Sequence, residues 1–341
     1  MQNIKDLSLE DIERWLASMG EKPYRALQIF VWLFNRSANS FDNMTDLSQA
    51  LRQRLKENFY ISQPKILTKE ESKDGTEKLL LELEDENCIE CVLIPEEDRL
   101  TLCISSQVGC PLDCGFCMTS KGGFVKNLKL SEMVDQIFAA QSLLSDEQKI
   151  TNLVLMGMGE PLLNYDEVLK FINIATYQKG LAFAPRRITV STSGIIPMIE
   201  KLGREAKVNL AVSLNATTDE IRNQLMPINK KYPLKALLNA CRKYPAARNR
   251  HITFEYILMQ GVNDSIEDAK RLVTLLKDIK CKINLIPFNP FPDTDFKRPS
   301  DKAISTFHKI LLDNNYVAII RTSKGQDISA ACGQLRGKLQ R

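Results

Sequence analysis

The chain has 341 residues, of which 44% are hydrophobic and 26% are charged, proportions that are ordinary for a globular protein. No apolar run is long enough to span a membrane and residues 1–15 do not resemble a secretory leader, so we expect no membrane partner. The net charge of +4 permits a nucleic-acid partner without demonstrating one, and nine cysteines in such a chain indicate a reducing, cytoplasmic compartment rather than a disulfide framework.

Residues 1–65 predict a small helical domain. Ser8 and Asp11 have the spacing of a capping box, and Ile12 and Leu16 then mark one apolar helix face. Further apolar sets with helical spacing follow within this segment.

A β-rich linker is predicted next, over residues 66–98. Asp74 and Gly75 form a hairpin-turn signal between two short apolar strands. This linker also carries the carboxylate of Glu90.

From residue 99 to residue 341 the chain reads as one α/β core domain. Apolar runs alternate with amphipathic segments, and capped helices are predicted to begin at Thr217 and Ser265. Such alternation is typical of parallel β/α units, so we predict a partial TIM-like (β/α)6 barrel of about six units, with its chemistry at the carboxyl ends of the strands. The predicted strands are residues 101–105, 152–156, 188–192, 208–214, 252–258, 283–286 and 316–320.

Three closely spaced cysteines restrict the chemistry more than any other feature. Cys110, Cys114 and Cys117 follow the first core strand, and their thiolates can converge on one polynuclear metal centre while leaving a metal corner without a protein ligand. A structural zinc site would need a fourth ligand, and His251 and His308 are both remote in sequence. A thioredoxin-like redox pair would leave one of the three cysteines without a role.

Polar residues follow several of the other predicted strands. Gly157 and Gly159 would let the backbone approach a ligand closely, and Glu160 could accept a hydrogen bond from an ammonium group. The same run is also typical of a turn that simply ends a strand. Four further residues could hold a ribose or a carboxylate, or could only cap the backbone: Ser191, Ser213, Asn215 and Asn289.

Two other cysteines differ in their surroundings. Cys332 lies in a segment of small residues that suits an accessible loop better than a core. Cys103 by itself reads as a small inward-facing strand residue.

Several sequence blocks, in order along the chain, resemble the RlmN family of radical S-adenosylmethionine (SAM) methyltransferases, which act on an adenine of 23S rRNA. The related Cfr family shares the cysteine framework but methylates a different ring carbon, and residues 159–161 and 289–292 look more like RlmN. The blocks are residues 103–110, 157–164, 226–232, 284–290 and 327–335.

The resemblance implies a radical SAM barrel in which Cys110, Cys114 and Cys117 hold a 4Fe–4S cluster. It departs from the family pattern at Asn215, where the family usually has His, and directly after Cys117, where Met118-Thr119-Ser120 replaces the common Ala-Thr-Gly. The implied SAM contacts are Gly159, Glu160, Ser191, Ser213, Leu214, Asn215 and Asn289.

The resemblance also implies a reaction that forms 2-methyladenine in 23S rRNA and in tRNA at the adenine 3′ of the anticodon. An adenine ring carbon between two nitrogens is electron-poor, so it cannot attack the methyl group of SAM, and a thiol must take that group first. Cys332 is implied as the methyl carrier, Cys103 as the partner thiol and Glu90 as the proton acceptor, with two SAM molecules used per turnover.

The implied partners are 23S rRNA in a protein-poor or assembling large subunit, tRNA, and an electron donor such as flavodoxin or ferredoxin, with the chain acting as a monomer. Two alternatives stay open: a Cfr-like enzyme that methylates carbon 8, and a non-enzymatic RNA-binding protein with a structural metal site. Candidate phosphate contacts near the strand-end face are Lys121, Lys126, Lys129, Arg186, Arg187, Lys230, Lys231, Arg248, Arg250, Arg321 and Lys324.

Overall fold

The computed structural model describes residues 1–245, 250–292 and 294–337. Arg248, one of the predicted phosphate contacts, lies outside these residues. Within them, no helix is long and apolar enough to cross a membrane.

The N-terminal segment is helical, as predicted. The capping box of Ser8 and Asp11 is present at the start of the first helix. A π-helix over Val31–Asn35 directly extends the second helix. The elements of this segment are β1 (Gln2–Asn3), α1 (Leu9–Ser18), α2 (Tyr24–Phe30), α3 (Gln49–Asn58) and β2 (Phe59–Tyr60).

A buried ion pair fastens this segment to the rest of the chain. The Lys5 ammonium contacts the carboxylate of Asp135 and donates to the carbonyl oxygen of Ser62 at 2.8 Å. All three residues are buried. Because Asp135 lies in the long helix that follows the cysteine loop, the pair fixes the N-terminal helices against the core.

The described residues form one 10-stranded sheet, two 2-stranded sheets and their covering helices. The strands beyond β2 are β3 (Lys65–Glu71), β4 (Glu77–Glu82), β5 (Cys88–Glu96), β6 (Arg99–Cys103), β7 (Gln107–Gly109), β8 (Phe124–Asn127), β9 (Asn152–Leu155), β10 (Ile188–Thr192), β11 (Asn209–Ser213), β12 (Ile252–Leu258), β13 (Cys281–Pro287) and β14 (Val317–Ile320). The helices beyond α3 are α4 (Met118–Lys121), α5 (Leu130–Gln141), α6 (Tyr165–Thr176), α7 (Ile196–Glu205), α8 (Asp219–Leu225), α9 (Leu234–Lys243), α10 (Ile266–Leu276) and α11 (Asp301–Asp313).

The order of the large sheet is β14-β13-β12-β11-β10-β9-β6-β5-β4-β3. Neighbours from β6 to β14 pair in parallel, and each crossover between them carries at least one helix. This arrangement confirms the predicted partial (β/α)6 barrel. The strands β3 to β5 pair antiparallel and extend the same sheet through the β5–β6 pair, so the segment predicted as a linker is continuous with the core sheet.

Strand register determines which side chains share the carboxyl end of the barrel. Ser191 pairs with Ala211, and Ser213 pairs with Glu255. Since side chains alternate between the two faces of a strand, these positions point to the barrel interior while their neighbours pack under the helices. Val92 pairs with Cys103, which brings β5 against the first barrel strand.

One predicted helix cap is wrong by a residue. The capping box of Ser265 and Asp268 is present, but α8 is capped by Thr218, whose hydroxyl accepts from the amide of Ile221. Thr217 instead donates its hydroxyl to Asp268 at 2.7 Å. Its side chain is therefore already used by the cap of a neighbouring helix.

Candidate active site

A cavity with an empty volume of about 1110 Å³, part of it open to solvent, lies at the carboxyl ends of the parallel strands. Apolar side chains such as Val92, Ile94, Leu155 and Ile286 form much of its wall. The predicted site residues that line it are Cys103, Cys110, Cys114, Cys117, Gly159, Glu160, Ser191, Ser213 and Cys332. Leu214, Asn215, Asn289 and Glu90 are not among its lining residues.

The three-cysteine loop is held at one side of this cavity. The amide of Gly115 donates to the carbonyl of Leu225 at 3.0 Å, so the loop rests on the end of α8. The hydroxyl of Ser120 lies 2.8 Å from the carbonyl oxygens of both Cys114 and Cys117. These bonds turn the loop so that its thiols face the cavity.

Burial makes the Cys110 and Cys114 thiols hard to ionise without a cation. It is the main cause that raises the pKa of Cys110 to about 12 and the pKa of Cys114 well above its usual range, and neighbouring thiols of the loop add to both effects. A bound metal centre would supply the positive charge that stabilises the thiolates.

The donor set fits an iron–sulfur cluster better than a single metal ion. Among the described residues, no three Cys, His, Asp or Glu side chains converge tightly enough to hold one ion. Three thiolates that leave one metal corner without a protein ligand suit a 4Fe–4S cluster, which Cys110, Cys114 and Cys117 would hold. A structural zinc ion would need a fourth protein ligand.

Glu160 is held in the cavity wall by backbone amides. Its carboxylate accepts from Ser193 at 2.7 Å and from Leu162 at 3.1 Å, while its own amide donates to the side-chain oxygen of Gln107 at 2.8 Å. Burial raises the pKa of this carboxyl, and the bonds from Ser193 and Leu162 oppose that shift. Gly159 has φ of +96°, and an added Cβ would stand 2.4 Å from the Cβ of Gln107, so only glycine fits here.

Asn215 and Asn289 use their side chains inside the protein. The side-chain oxygen of Asn215 accepts from the amide of Ile257 at 2.9 Å. Asn289 donates to the carbonyl of Cys332 at 3.3 Å and accepts from Gln326 at 2.7 Å. Asn215 therefore holds β12 near its carboxyl end, and Asn289 holds the segment that carries Cys332.

Glu90 contacts the segment that follows Cys332. One carboxylate oxygen accepts from the amides of Arg336 at 2.6 Å and Gly337 at 3.0 Å, and the other lies 3.5 Å from the Lys78 ammonium. Glu90 is buried, and its carbonyl accepts from the hydroxyl of Ser105 at 2.6 Å. It therefore stands just beyond the end of β6, next to the cavity wall.

The thiols of Cys103 and Cys332 face the same cavity from different elements. Cys103 ends β6 and is buried, whereas Cys332 lines the cavity on a residue that remains in contact with solvent. Burial raises the pKa of both thiols, that of Cys332 to about 11. Each of these residues lies where a ligand in the cavity could reach it.

Two residues that the structure places at or beside the cavity were missed by the sequence analysis. Glu255 lines the cavity and accepts a hydrogen bond from Ser191 at 3.0 Å. The sequence does mark Glu255, because it is a charged residue inside an otherwise apolar strand. Arg222 is fully buried and bonds to strand-end carbonyls, but its position on α8 carries no sequence signal.

The predicted phosphate contacts divide between the two ends of the barrel. Arg186 and Arg187 directly precede β10, and Arg250 directly precedes β12. The prediction that these three lie near the strand-end face is wrong, because the amino ends of parallel strands are at the opposite side. Lys126 is held in ion pairs with Asp85 and Glu132.

The chain is similar to known proteins along its whole length. Residues 2–61 match the family described as ribosomal RNA large subunit methyltransferase N-terminal domain, and residues 104–273 match the Radical SAM superfamily. A relative from Syntrophus aciditrophicus, named dual-specificity RNA methyltransferase RlmN, is 54% identical over 98% of this chain and 97% of its own length. A relative of the same name from Geobacter sulfurreducens is 53% identical over 99% of this chain and 93% of its own length.

A solved structure has the same fold. The radical SAM methyltransferase from Sphaerobacter thermophilus superposes with a TM-score of 0.93 at 43% identity, covering 99% of this chain and 100% of that chain. Identity of this extent over the whole length, together with the cysteine loop at the carboxyl ends of the barrel strands, leads to one assignment. The chain belongs to the RlmN family of dual-specificity RNA methyltransferases, within the radical SAM superfamily.

Proposed function

We propose that this enzyme methylates carbon 2 of an adenine in 23S rRNA, and of the adenine 3′ of the anticodon in tRNA, through a methylated cysteine. One observation carries the proposal: the three-cysteine loop and the two further thiols of Cys103 and Cys332 line a single cavity. RlmN relatives at 54% and 53% identity favour carbon 2 over the Cfr-like carbon 8. An adenine must enter unstacked, since a stacked base hides its ring carbons.

The superfamily implies SAM and a 4Fe–4S cluster, which when bound supply the methyl group and the radical chemistry. Three residues of the chain then take part in the reaction: Cys332, Cys103 and Glu90. The thiol of Cys332 loses its proton as it takes a methyl group. That methyl group would then give up one hydrogen atom to the radical that the cofactors supply, and its carbon would bond to the adenine as one electron returns to the cofactors. Cys103 attacks the Cys332 sulfur to release the methylated RNA, which leaves a disulfide that cellular thiols must reduce, while Glu90 accepts the ring proton.

The proposed cofactor contacts follow from the cavity wall and the family pattern. Cys110, Cys114 and Cys117 would hold the cluster. Residues 1–65 would act as an RNA-contacting accessory domain, with residues 66–98 and 99–341 as the Glu90 segment and the radical SAM core. The contacts proposed for SAM are Gly159, Glu160, Ser191, Ser213, Leu214, Asn215 and Asn289.

The remaining parts of the proposal concern stoichiometry and partners. Two SAM molecules are consumed per turnover, since one methylates Cys332 and the other activates that methyl group. A flavodoxin- or ferredoxin-type donor supplies electrons to a monomeric, cytoplasmic enzyme.

Two cysteine variants and a control test the two-thiol route. Cys103→Ala should accumulate a covalent protein–RNA adduct, visible as a shifted band on a denaturing gel, because the releasing thiol is absent. Cys332→Ala should give neither adduct nor methylated RNA. Cys281→Ala, at the amino end of β13, should behave as the unmodified enzyme.

The position of the methyl group is measured by digesting the product RNA and analysing the nucleosides by mass spectrometry. Methyl at carbon 2 supports the proposal, and methyl at carbon 8 contradicts it. Normal turnover by Cys103→Ala without any adduct would show that release does not use a second thiol.

A further inference from the structure

Glu255 lines the cavity but has no role in the proposed reaction. It lies on β12 opposite Ser213 in the strand register, and both residues line the cavity together with Cys103 and Cys332. The hydroxyl of Ser191 donates to one Glu255 carboxylate oxygen at 3.0 Å. Among the residues that the structure describes, no donor is bonded to the second oxygen.

The other nearby carboxylates are already bound by backbone amides. Glu160 accepts from Leu162 and Ser193 with its two oxygens, and Glu90 accepts from Arg336 and Gly337. The second Glu90 oxygen lies 3.5 Å from the Lys78 ammonium, and Glu90 does not line the cavity. Glu255 does line it, and one of its oxygens has no donor among the described residues. It is the carboxylate of the described cavity wall that can accept a proton without breaking a backbone bond.

The Cys332 thiol needs a proton acceptor. Burial is the main cause of its raised pKa of about 11, and the charge of Glu255 is the next largest, so both groups are close enough to interact. At neutral pH such a thiol is ionised in about one molecule in ten thousand. Ionisation to solvent would also place a second negative charge beside Glu255, whereas proton transfer to Glu255 keeps a single charge on the pair.

We propose that Glu255 accepts the proton of the Cys332 thiol, directly or through one water, as that thiol takes its methyl group from SAM. The S–H bond of Cys332 breaks and its proton moves to a Glu255 oxygen. The Cys332 sulfur forms the new S–C bond with the methyl carbon, and the sulfonium S–CH3 bond of SAM breaks, leaving S-adenosylhomocysteine. The proton then passes from Glu255 to solvent.

Other charged groups near the pair set the balance of this transfer. Arg321 lowers the pKa of both Glu255 and Cys332, Cys117 raises that of Cys332, and Cys332 raises that of Cys103. Burial raises the pKa of Glu255, which brings its proton affinity closer to that of the thiol. A better-matched acceptor makes the transfer easier.

The inference rests on the proposed function, since it concerns the thiol that carries the methyl group. The test uses the full chain with its reconstituted cluster, SAM and no RNA, and follows methylation of Cys332 by mass spectrometry of the peptide that contains it. Glu255→Gln should slow this methylation about 100-fold at pH 7, because a positioned base contributes a factor of this order. Glu255→Asp should restore most of the rate, and raising the pH should rescue Glu255→Gln.

A matched control is Glu205→Gln. Glu205 ends α7 outside the barrel, where it accepts from the hydroxyl of Tyr165 at 3.0 Å, and its replacement should leave Cys332 methylation unchanged. Binding of SAM, measured by equilibrium dialysis, should be the same in Glu255→Gln and in the unmodified chain.

A second readout does not depend on SAM. The pH dependence of Cys332 alkylation by iodoacetamide should shift to lower pH in Glu255→Gln, because removing the carboxylate charge makes the thiol more acidic. If Glu255 were only a charged neighbour, the same variant would then methylate faster. Methylation of Glu255→Gln at or above the unmodified rate, or a loss of SAM binding in this variant, overturns the inference.

Failure of the proposed function has a different signature. In that case Cys332 of the unmodified chain would acquire no methyl group under any condition, whereas failure of the inference alone leaves the unmodified chain methylated.

Discussion

Replacing Arg222 by Met tests how the carboxyl ends of the barrel strands are held together. The guanidinium donates to the carbonyls of Ser193 at 2.7 Å, Ser213 at 3.0 Å and Leu214 at 3.0 Å, and to the side-chain oxygen of Asn229 at 2.9 Å. It has no carboxylate partner among the described residues. Burial lowers its pKa to about 10, so it stays protonated at neutral pH.

The expected cost follows from the acceptors that the variant leaves without a donor. A buried acceptor that loses its partner costs about 1–3 kcal/mol, which gives roughly 3–9 kcal/mol for the Ser193 and Ser213 carbonyls and the Asn229 side-chain oxygen. The Leu214 carbonyl still accepts from the Ala216 amide at 2.8 Å. Removing the guanidinium also removes the cost of burying its charge, so we expect about 3–5 kcal/mol in total. This is a large share of the roughly 5–15 kcal/mol by which folded domains are stable.

Urea unfolding of the cluster-free chain measures this loss, and Arg222→Lys is the matched variant. Lysine keeps the charge but reaches fewer of the carbonyls, so it should lose less stability than methionine. The guanidinium and Cys114 also interact through charge, and α8 supports the cysteine loop, so iron content after anaerobic reconstitution should fall in Arg222→Met. An unfolding free energy within about 1 kcal/mol of the unmodified chain would refute the role assigned to Arg222.

Three further perturbations test other parts of the structure. Lys5→Met leaves Asp135 buried without its counter-charge and should cost about 3–5 kcal/mol in urea unfolding, and adding Asp135→Leu should recover most of that loss. Gly159→Ala should weaken SAM binding measured by dialysis because its Cβ collides with Gln107, whereas Gly261→Ala, which shares the positive φ but meets nothing within 4 Å, should not. Burial alone would raise the pKa of Asp74, but hydrogen bonds from Thr76 and Gly325 hold that pKa at about 2. The contribution of these bonds to the free energy of unfolding is therefore complete above about pH 4 and is lost as the pH falls through 2. Hydrogen exchange at the Gly325 amide should therefore accelerate as the pH falls through that window relative to its intrinsic rate, and Asp74→Asn should remove this dependence.

The barrel was predictable from the sequence because its central parallel strands are buried on both faces, whereas the edge strand β14 is largely exposed. Runs such as residues 188–192 and 252–258 are read directly as strands, and the observed β10 and β12 have these same bounds. The order of the strands then follows from short right-handed crossovers. The position of the cysteine loop was predictable too, because the loop follows the first core strand and therefore lies at the carboxyl ends of the parallel strands.

Side-chain partners were not predictable in this way, because they depend on residues distant in sequence. Asn289 reads as a strand-end residue, but its bond to the Cys332 carbonyl spans 43 positions. Thr217 and Thr218 are equivalent as helix caps until Asp268, 51 positions after Thr217, binds one of them. The sequence identifies groups that can do chemistry, while register and chain packing decide which of them face the cavity.

The segment that carries Cys332 is where these long-range bonds meet. The amide of Met118 donates to the carbonyl of Gly333 at 2.7 Å, and the hydroxyl of Thr119 donates to that of Leu335 at 2.8 Å. The run that departs from the family pattern after Cys117 therefore connects the cysteine loop to the loop that carries Cys332.

Glu90 adds a constraint on the order of events in the proposed reaction. One oxygen of its carboxylate holds the amides of Arg336 and Gly337, the other lies 3.5 Å from the Lys78 ammonium, and Glu90 does not line the cavity. In the proposed reaction, Glu90 therefore reaches the ring proton only when residues 336–337 move away from it or its carboxylate turns toward the cavity. Either movement shifts the chain only a few residues from Cys332, so release of the Glu90 carboxylate and final placement of the methyl-carrying sulfur are coupled through the same short segment.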